Sequence, residues 1–256
     1  QQGCSLSDQL TFSNPKVQRL RRLLGRRSAR SEEGVFVVEG PSLVAQAAAA
    51  GWEIEAQFVA PGARAVAVGQ AGSATAVFEL APNVIERVAT TEAPQPVLAV
   101  VRQRIAVLPT GADFVMVAHQ LADPGNAGTI IRSAEAAGAQ AVVFTPGSVD
   151  PFNPKVVRAT AGSLFRVPVV VAELSALSAS GLRVLATSSH HGTAYTDADL
   201  TGAVALVVGN EAHGVPDDAA VDGWLTIPHA GAAESLNVAM AATVLAFEVA
   251  RQRRYR

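Results

Sequence analysis

Cysteine is almost absent: Cys4 is the single one in 256 residues, which excludes an intrachain disulfide and any Cys-rich zinc site. Aromatic residues are scarce, at 5%, so a core must be assembled from Ala, Val and Leu. Charged residues make up only 16% against 49% hydrophobic, yet no apolar run reaches the roughly 18 uninterrupted residues of a membrane span. No signal-peptide pattern is evident either, and a cytoplasmic, membrane-free protein is the expectation. His190, His191 and His213 have no Cys or carboxylate at metal-ligand spacing, so they read as loop histidines and no metal is expected.

What is present is unevenly placed. The net charge is −2, but residues 1–30 carry seven basic side chains (Lys16, Arg19, Arg21, Arg22, Arg26, Arg27, Arg30) against Asp8. Arg251, Arg253, Arg254 and Arg256 crowd the other end. Basic ends on an acidic body suit phosphate binding, and equally suit two solvated helix faces.

The length fits one large domain or two smaller ones. In the first part, Val17, Leu20, Leu23 and Leu24 recur at helical spacing after Asn14-Pro15, and Gly25 weakens the helix end. Strands are expected at Val35 to Val38, Ile54 to Val59, Ala65 to Val68, Ala76 to Glu79 and Val97 to Val101. Pro41 opens a helix to Ala50, and another helix is expected around Asn83 to Ala89. The segment 105–112, with Pro109 and Gly111, reads as a linker between domains at 1–104 and 113–256.

The second part alternates strand and helix, the pattern of a mostly parallel α/β sheet. Strands are expected at Phe114 to Ala118, Ala141 to Phe144, Val167 to Val171, Arg183 to Thr187, Val204 to Val208 and Trp224 to Ile227. Helices should cover Asn126 to Ala137, Pro154 to Ala161, Leu174 to Ser180 and Ser235 to Gln252. The last is apolar nearly all round until its arginines, so burial on more than one side is expected.

Three stretches stand out where strands end. They are Asp123-Pro124-Gly125-Asn126-Ala127-Gly128-Thr129-Ile130-Ile131-Arg132, then Gly209-Asn210-Glu211 with Gly214, then the loop from Pro228 into Ser235-Leu236-Asn237. Loops at strand ends that feed helix N-termini are where open α/β folds bind ligands. The G-x-G-x-x-G of a dinucleotide site is missing. By residue type alone, Asn126 is a helix cap, Arg132 a surface arginine, Glu211 a turn cap and Ser235 a helix cap, or all four belong to one ligand site.

DPGNAGTIIRSA, GNEAHG and IPHAGAAESLNVAMA, in that order and spacing, resemble the three motifs of the SpoU/TrmH family of RNA ribose 2′-O-methyltransferases, in the SPOUT superfamily. The pattern R-x5-F-x-x-E-G at Arg30, Phe36, Glu39 and Gly40 is similar to the RNA substrate-binding domain that often precedes them. The resemblance implies a C-terminal parallel sheet tied into a deep trefoil knot, a smaller N-terminal α/β RNA-binding domain, a homodimer, and S-adenosylmethionine as cofactor. It implies a catalytic set of Asn126, Arg132, Glu211 and Asn237, with an Arg132–Glu211 pair, within one chain or across subunits. The cofactor would be held by Thr187, Ser188, Gly209, Asn210, Ile227, Gly231, Ser235, Leu236 and Asn237. RNA would be met by Arg21, Arg22, Arg26, Arg27, Arg30, Lys155 and Arg158.

His229 and Ala239 depart from the family's usual hydrophobic and Ser residues. Ribosomal RNA is favoured as substrate over tRNA; DNA is not expected. A thiostrepton-resistance-type rRNA enzyme shares the domain plan, and a non-catalytic RNA-binding or ribosome-assembly protein is the alternative of another class.

Overall fold

The computed structural model describes residues 9–68, 75–231 and 235–254. Its contacts divide into two compact units. One takes the described residues up to Gln103 together with Phe152–Arg158, and the other takes Arg104–Pro151 and the residues from Ala159 onward.

The first unit opens with helix α1 (Pro15–Gly25), where the Asn14 side chain accepts from the Lys16 N–H and Pro15 occupies the first turn. Both are favourable helix starts. Val17, Leu20, Leu23 and Leu24 bury one face against the core beneath. The chain turns extended at Arg26 and restarts as α2 (Arg27–Glu33), a helix with no sequence-stretch expectation behind it. Then follow β1 (Val35–Glu39), α3 (Pro41–Ala49), β2 (Ile54–Val59), β3 (Ala76–Glu79), α4 (Val84–Val88) and β4 (Val97–Arg102). The four strands lie in the order β1-β4-β2-β3. β4 runs antiparallel to both neighbours, and β3 is parallel to β2.

The strand expected at Ala65 to Val68 is not formed. Instead the Gln57 side chain, itself buried, donates from Nε2 to the Val66 carbonyl and accepts the Val66 N–H on Oε1, at 2.9 and 2.8 Å. A single amide supplies the two bonds a neighbouring strand would have made, so the segment is satisfied without joining the sheet.

The second unit contains β5 (Phe114–Ala118), α5 (Pro124–Ala137), β6 (Ala141–Phe144) and α6 (Pro154–Ala159), whose residues to Arg158 are grouped with the first unit. It continues with β7 (Val169–Val171), α7 (Leu174–Ser178), β8 (Arg183–Thr187), β9 (Thr193–Ala194), β10 (Val204–Val208), β11 (Gly223–Thr226) and α8 (Val238–Arg254). The sheet order is β7-β6-β5-β10-β8-β11-β9, and every pairing in it is parallel. β5 and β10 pair at its centre and are buried along their whole length, as expected for strands covered on both faces. β5, β10, β8 and β11 are adjacent, so their C-terminal loops gather at one end of the sheet.

One further expectation is corrected. The last helix begins at Val238 rather than Ser235, because Asn237 caps it: its Oδ1 accepts from the Ala239 and Met240 N–H groups. Ser235 lies exposed ahead of it. The same helix packs against both α5 and β10 but leaves one face open. Ala239, Ala242, Leu245, Ala246 and Val249 are buried, but Met240 is 58% and Phe247 45% exposed, with Val244 and the preceding Leu236 also in solvent.

Candidate active site

The centre of the site is a turn built around a glycine. After β10, Gly209 approaches the backbone of Gly214 so closely that a Cβ on it would stand 2.2 Å from the Gly214 carbonyl carbon. Only glycine fits there. Asn210 and Gly214 exchange two backbone hydrogen bonds, at 3.1 and 2.8 Å. The Asn210 side chain completes the turn, accepting on Oδ1 from the Ala212 and His213 N–H groups and donating from Nδ2 to the Gln120 carbonyl. Gln120 itself adopts φ +50°, and its N–H is held by Thr145 Oγ1 at 3.0 Å.

That rigid turn aims Glu211 at the start of α5. Oε2 accepts from the Ala122 N–H at 3.1 Å, and Oε1 accepts from the Asp123 N–H at 2.9 Å and from Asn126 Nδ2 at 3.1 Å. Asn126 passes the chain on: its Oδ1 accepts from Asn237 Nδ2 at 3.1 Å. Asp123 caps α5 by accepting from the Asn126 N–H at 2.7 Å. Three segments distant in sequence are thereby joined through Glu211, Asn126 and Asn237. Partial burial pushes the Glu211 carboxyl up, but the hydrogen bonds from Asn126, Ala122 and Asp123 outweigh it and hold the group below its ordinary value. Glu211 is a carboxylate at neutral pH.

The Arg132–Glu211 pair is not formed within the chain. Both carboxylate oxygens are taken by Asn126 and backbone N–H groups, and Arg132 is exposed on α5 with no hydrogen-bond or ion-pair partner among the described residues.

Beside this chain lies a cavity of about 900 Å³. The ends of β8 and β10 contribute Thr187, Ser188, Gly209, Asn210 and Glu211; β11 and its exit contribute Leu225 and Ile227; Ser235, Leu236 and Asn237 close it before α8. Gly231 is outside the lining, at an exposed place where an added Cβ would meet nothing. Four histidines line the cavity, His190, His191, His213 and His229. His213 and His229 belong to the second and third motifs, whereas His190 and His191 lie outside all three. His191 packs on Trp224, ring centroids 4.8 Å apart, with its Nδ1 3.1 Å from Ser188 Oγ. His229 Nε2 is buried without a partner among the described residues.

The basic residues divide. Arg21, Arg22, Arg26, Arg27 and Lys155 are exposed. Arg30 is not: it is 2% exposed, and its guanidinium donates to the Leu23 and Leu24 carbonyls at the end of α1. It serves the fold rather than an external phosphate. Arg158 is half-buried and committed, donating to buried Glu39 at 3.1 Å and to Thr90 Oγ1 at 3.0 Å. Glu39 also accepts from Thr91 Oγ1 and the Gln95 N–H, while Phe36 packs against Trp52 and Phe152. The R-x5-F-x-x-E pattern is therefore architectural.

Comparison with known proteins agrees with this geometry. The profile of the SpoU rRNA Methylase family matches residues 113–247, and that of the MRM3-like substrate binding domain matches residues 14–99. The 23S rRNA guanosine 2′-O-methyltransferase RlmP of Bacillus subtilis is 35% identical over 92% of this chain and 96% of its own. The SpoU methyltransferase AviRb of Streptomyces viridochromogenes, solved with AdoMet, superposes with a TM-score of 0.84 at 31% identity, covering 94% of this chain and 98% of its own. An rRNA methyltransferase of Sinorhizobium meliloti follows at TM-score 0.81 and 32% identity, covering 95% and 97%.

Proposed function

The chain belongs to the SpoU rRNA Methylase family, and from that premise we propose that it methylates the 2′-hydroxyl of a ribose in structured RNA, ribosomal RNA before tRNA, in the cytoplasm. The observation that carries this is the Glu211–Asn126–Asn237 chain at the rim of the cavity. The cavity volume lies within the ~300–1,000 Å³ usual for ligand sites. Its walls combine apolar Leu225 and Ile227 with hydroxyl and amide groups, a fit for the adenosine and amino-acid parts of S-adenosylmethionine. When bound, that cofactor supplies an electrophilic methyl group on a sulfonium.

The residues of the chain have separable tasks. Glu211, ionised, fixes the amide of Asn126, and Asn126 fixes Asn237, so the rim is ordered before RNA arrives. A ribose hydroxyl placed there meets oriented amide dipoles rather than bulk water, which favours in-line alignment with the methyl group. A guanidinium such as that of Arg132 is a poor base. Its role is to stabilise the negative charge that develops on the attacking oxygen or to grip the adjoining phosphate.

Arg132 does this in a homodimer. Leu236, Met240, Val244 and Phe247 leave an apolar face of α8 and its approach exposed, beside α5, on which α8 packs. A second copy on that face covers the apolar stripe and brings Arg132 to the partner's site. The strand interleaving supports a trefoil knot as well. β10 inserts between β5 and β8, and β11 then inserts between β8 and β9, before α8 returns to α5.

The test is Glu211→Ala. Transfer of labelled methyl to unmodified rRNA should be lost while cofactor affinity is largely kept; unchanged transfer removes Glu211 from the site.

A further inference from the structure

The arginines of α1 fall into two groups. Arg19 is neutralised by Glu33 at 2.5 Å and Glu55 at 3.2 Å, and Arg22 approaches Glu33 at 3.7 Å. Arg21 has no carboxylate partner among the described residues. It donates to Gln18 Oε1 at 3.1 Å, and its guanidinium carbon sits 4.6 Å from the centre of the Phe12 ring. Arg87, from the end of α4, lies 3.7 Å from the centre of the same ring and likewise has no carboxylate partner. Gln18 completes the arrangement by donating from Nε2 to the Phe12 carbonyl at 2.5 Å. The loop before α1, α1 itself and α4 thus converge on one aromatic ring with two exposed guanidinium groups laid over it.

We propose that Phe12, Gln18, Arg21 and Arg87 form a binding platform for an unpaired RNA base and its adjoining phosphates. A guanidinium held against a ring has lost much of its rotational freedom, so less remains to be lost on binding. Its outer face stacks on a nucleobase, and its N–H edge donates to phosphate. Bases inside a duplex are stacked on one another and offer no such face, whereas looped or bulged bases do. This inference rests on the RNA reading above and adds to it the element recognised, a single-stranded nucleotide rather than a helix.

The test uses the full chain and two fluorescein-labelled RNA hairpins with equal phosphate counts, one carrying an unpaired loop and bulge and one paired as fully as a hairpin allows. The parent protein should prefer the unpaired hairpin by about tenfold, the scale of one base stacked on a side chain. Arg87→Lys keeps the charge but not the plane, so it should lose that preference while binding the paired hairpin as before. Arg21→Ala with Arg87→Ala should lose the preference and also weaken binding to both. Melting temperature and cofactor affinity guard against misfolding. A parent without preference, or variants that retain it, overturns the platform even if the enzyme methylates RNA. If the parent binds neither RNA and transfers no methyl to RNA, the underlying RNA reading fails and the platform with it.

Discussion

At the residue scale, Asn126 is held from both sides by opposite halves of its amide: it donates to Glu211 and accepts from Asn237. Asn126→Asp is nearly isosteric yet places a second carboxylate about 3 Å from that of Glu211. It should reduce transfer more than Asn126→Ala, with activity partly recovered as pH falls and one carboxyl takes a proton; rates of both variants across pH check this. Glu211 itself has a depressed value in the fold. Its hydrogen bonds therefore contribute stability that is fully present above the ordinary carboxylate pKa and lost as pH falls through the depressed one. Glu211→Gln should flatten the acid side of the stability profile, measured by melting temperature, and leave the neutral region less affected. Asn126, Glu211 and Asn237 were legible in the sequence because each sits in a motif at a strand end. Their mutual hydrogen bonds were not, since spacing along a chain does not say which amide half faces which carboxylate.

At the scale of elements, Arg30 shows how a charge can mislead. In the sequence it belongs to a basic run; in the fold its guanidinium satisfies two carbonyls at the end of α1. Arg30→Met should lower stability by about 1–3 kcal/mol, the cost of buried acceptors left unpaired. It should also spare RNA affinity measured well below the lowered melting temperature; a stable variant that loses RNA binding contradicts the assignment. The parallel strands β5, β6, β8 and β10 were readable as short, nearly continuous apolar runs. The segment at Ala65 to Val68 has the same local composition but pairs with one buried glutamine. Local pattern cannot distinguish a strand neighbour from a side chain that imitates one. The start of α8 was misread for a related reason: Ser235 and Asn237 are both good caps, and only the structure places Asn237 at the cap.

At the scale of the whole molecule, the exposed stripe Leu236, Met240, Val244 and Phe247 and Arg132, unpartnered among the described residues, are the surface that the proposed second copy would cover. Met240→Glu with Phe247→Glu should give a monomer by analytical ultracentrifugation that binds cofactor less well or not at all and transfers no methyl. The proposed composite site has a sharper consequence. Arg132→Ala and Glu211→Ala, each inactive alone, should regain roughly a quarter of parental activity when co-expressed, because half the dimers then hold one intact site. No recovery in a mixed dimer places Arg132 and Glu211 in the same chain's site.

The most direct test of the account is transfer of labelled methyl from S-adenosylmethionine to unmodified ribosomal RNA and, separately, to tRNA, with the modified nucleoside identified by mass spectrometry after digestion. The account predicts a 2′-O-methyl nucleoside from ribosomal RNA, absent with Arg132→Ala. A base-methylated nucleoside, or no transfer to either RNA by a folded protein that binds the cofactor, would contradict it.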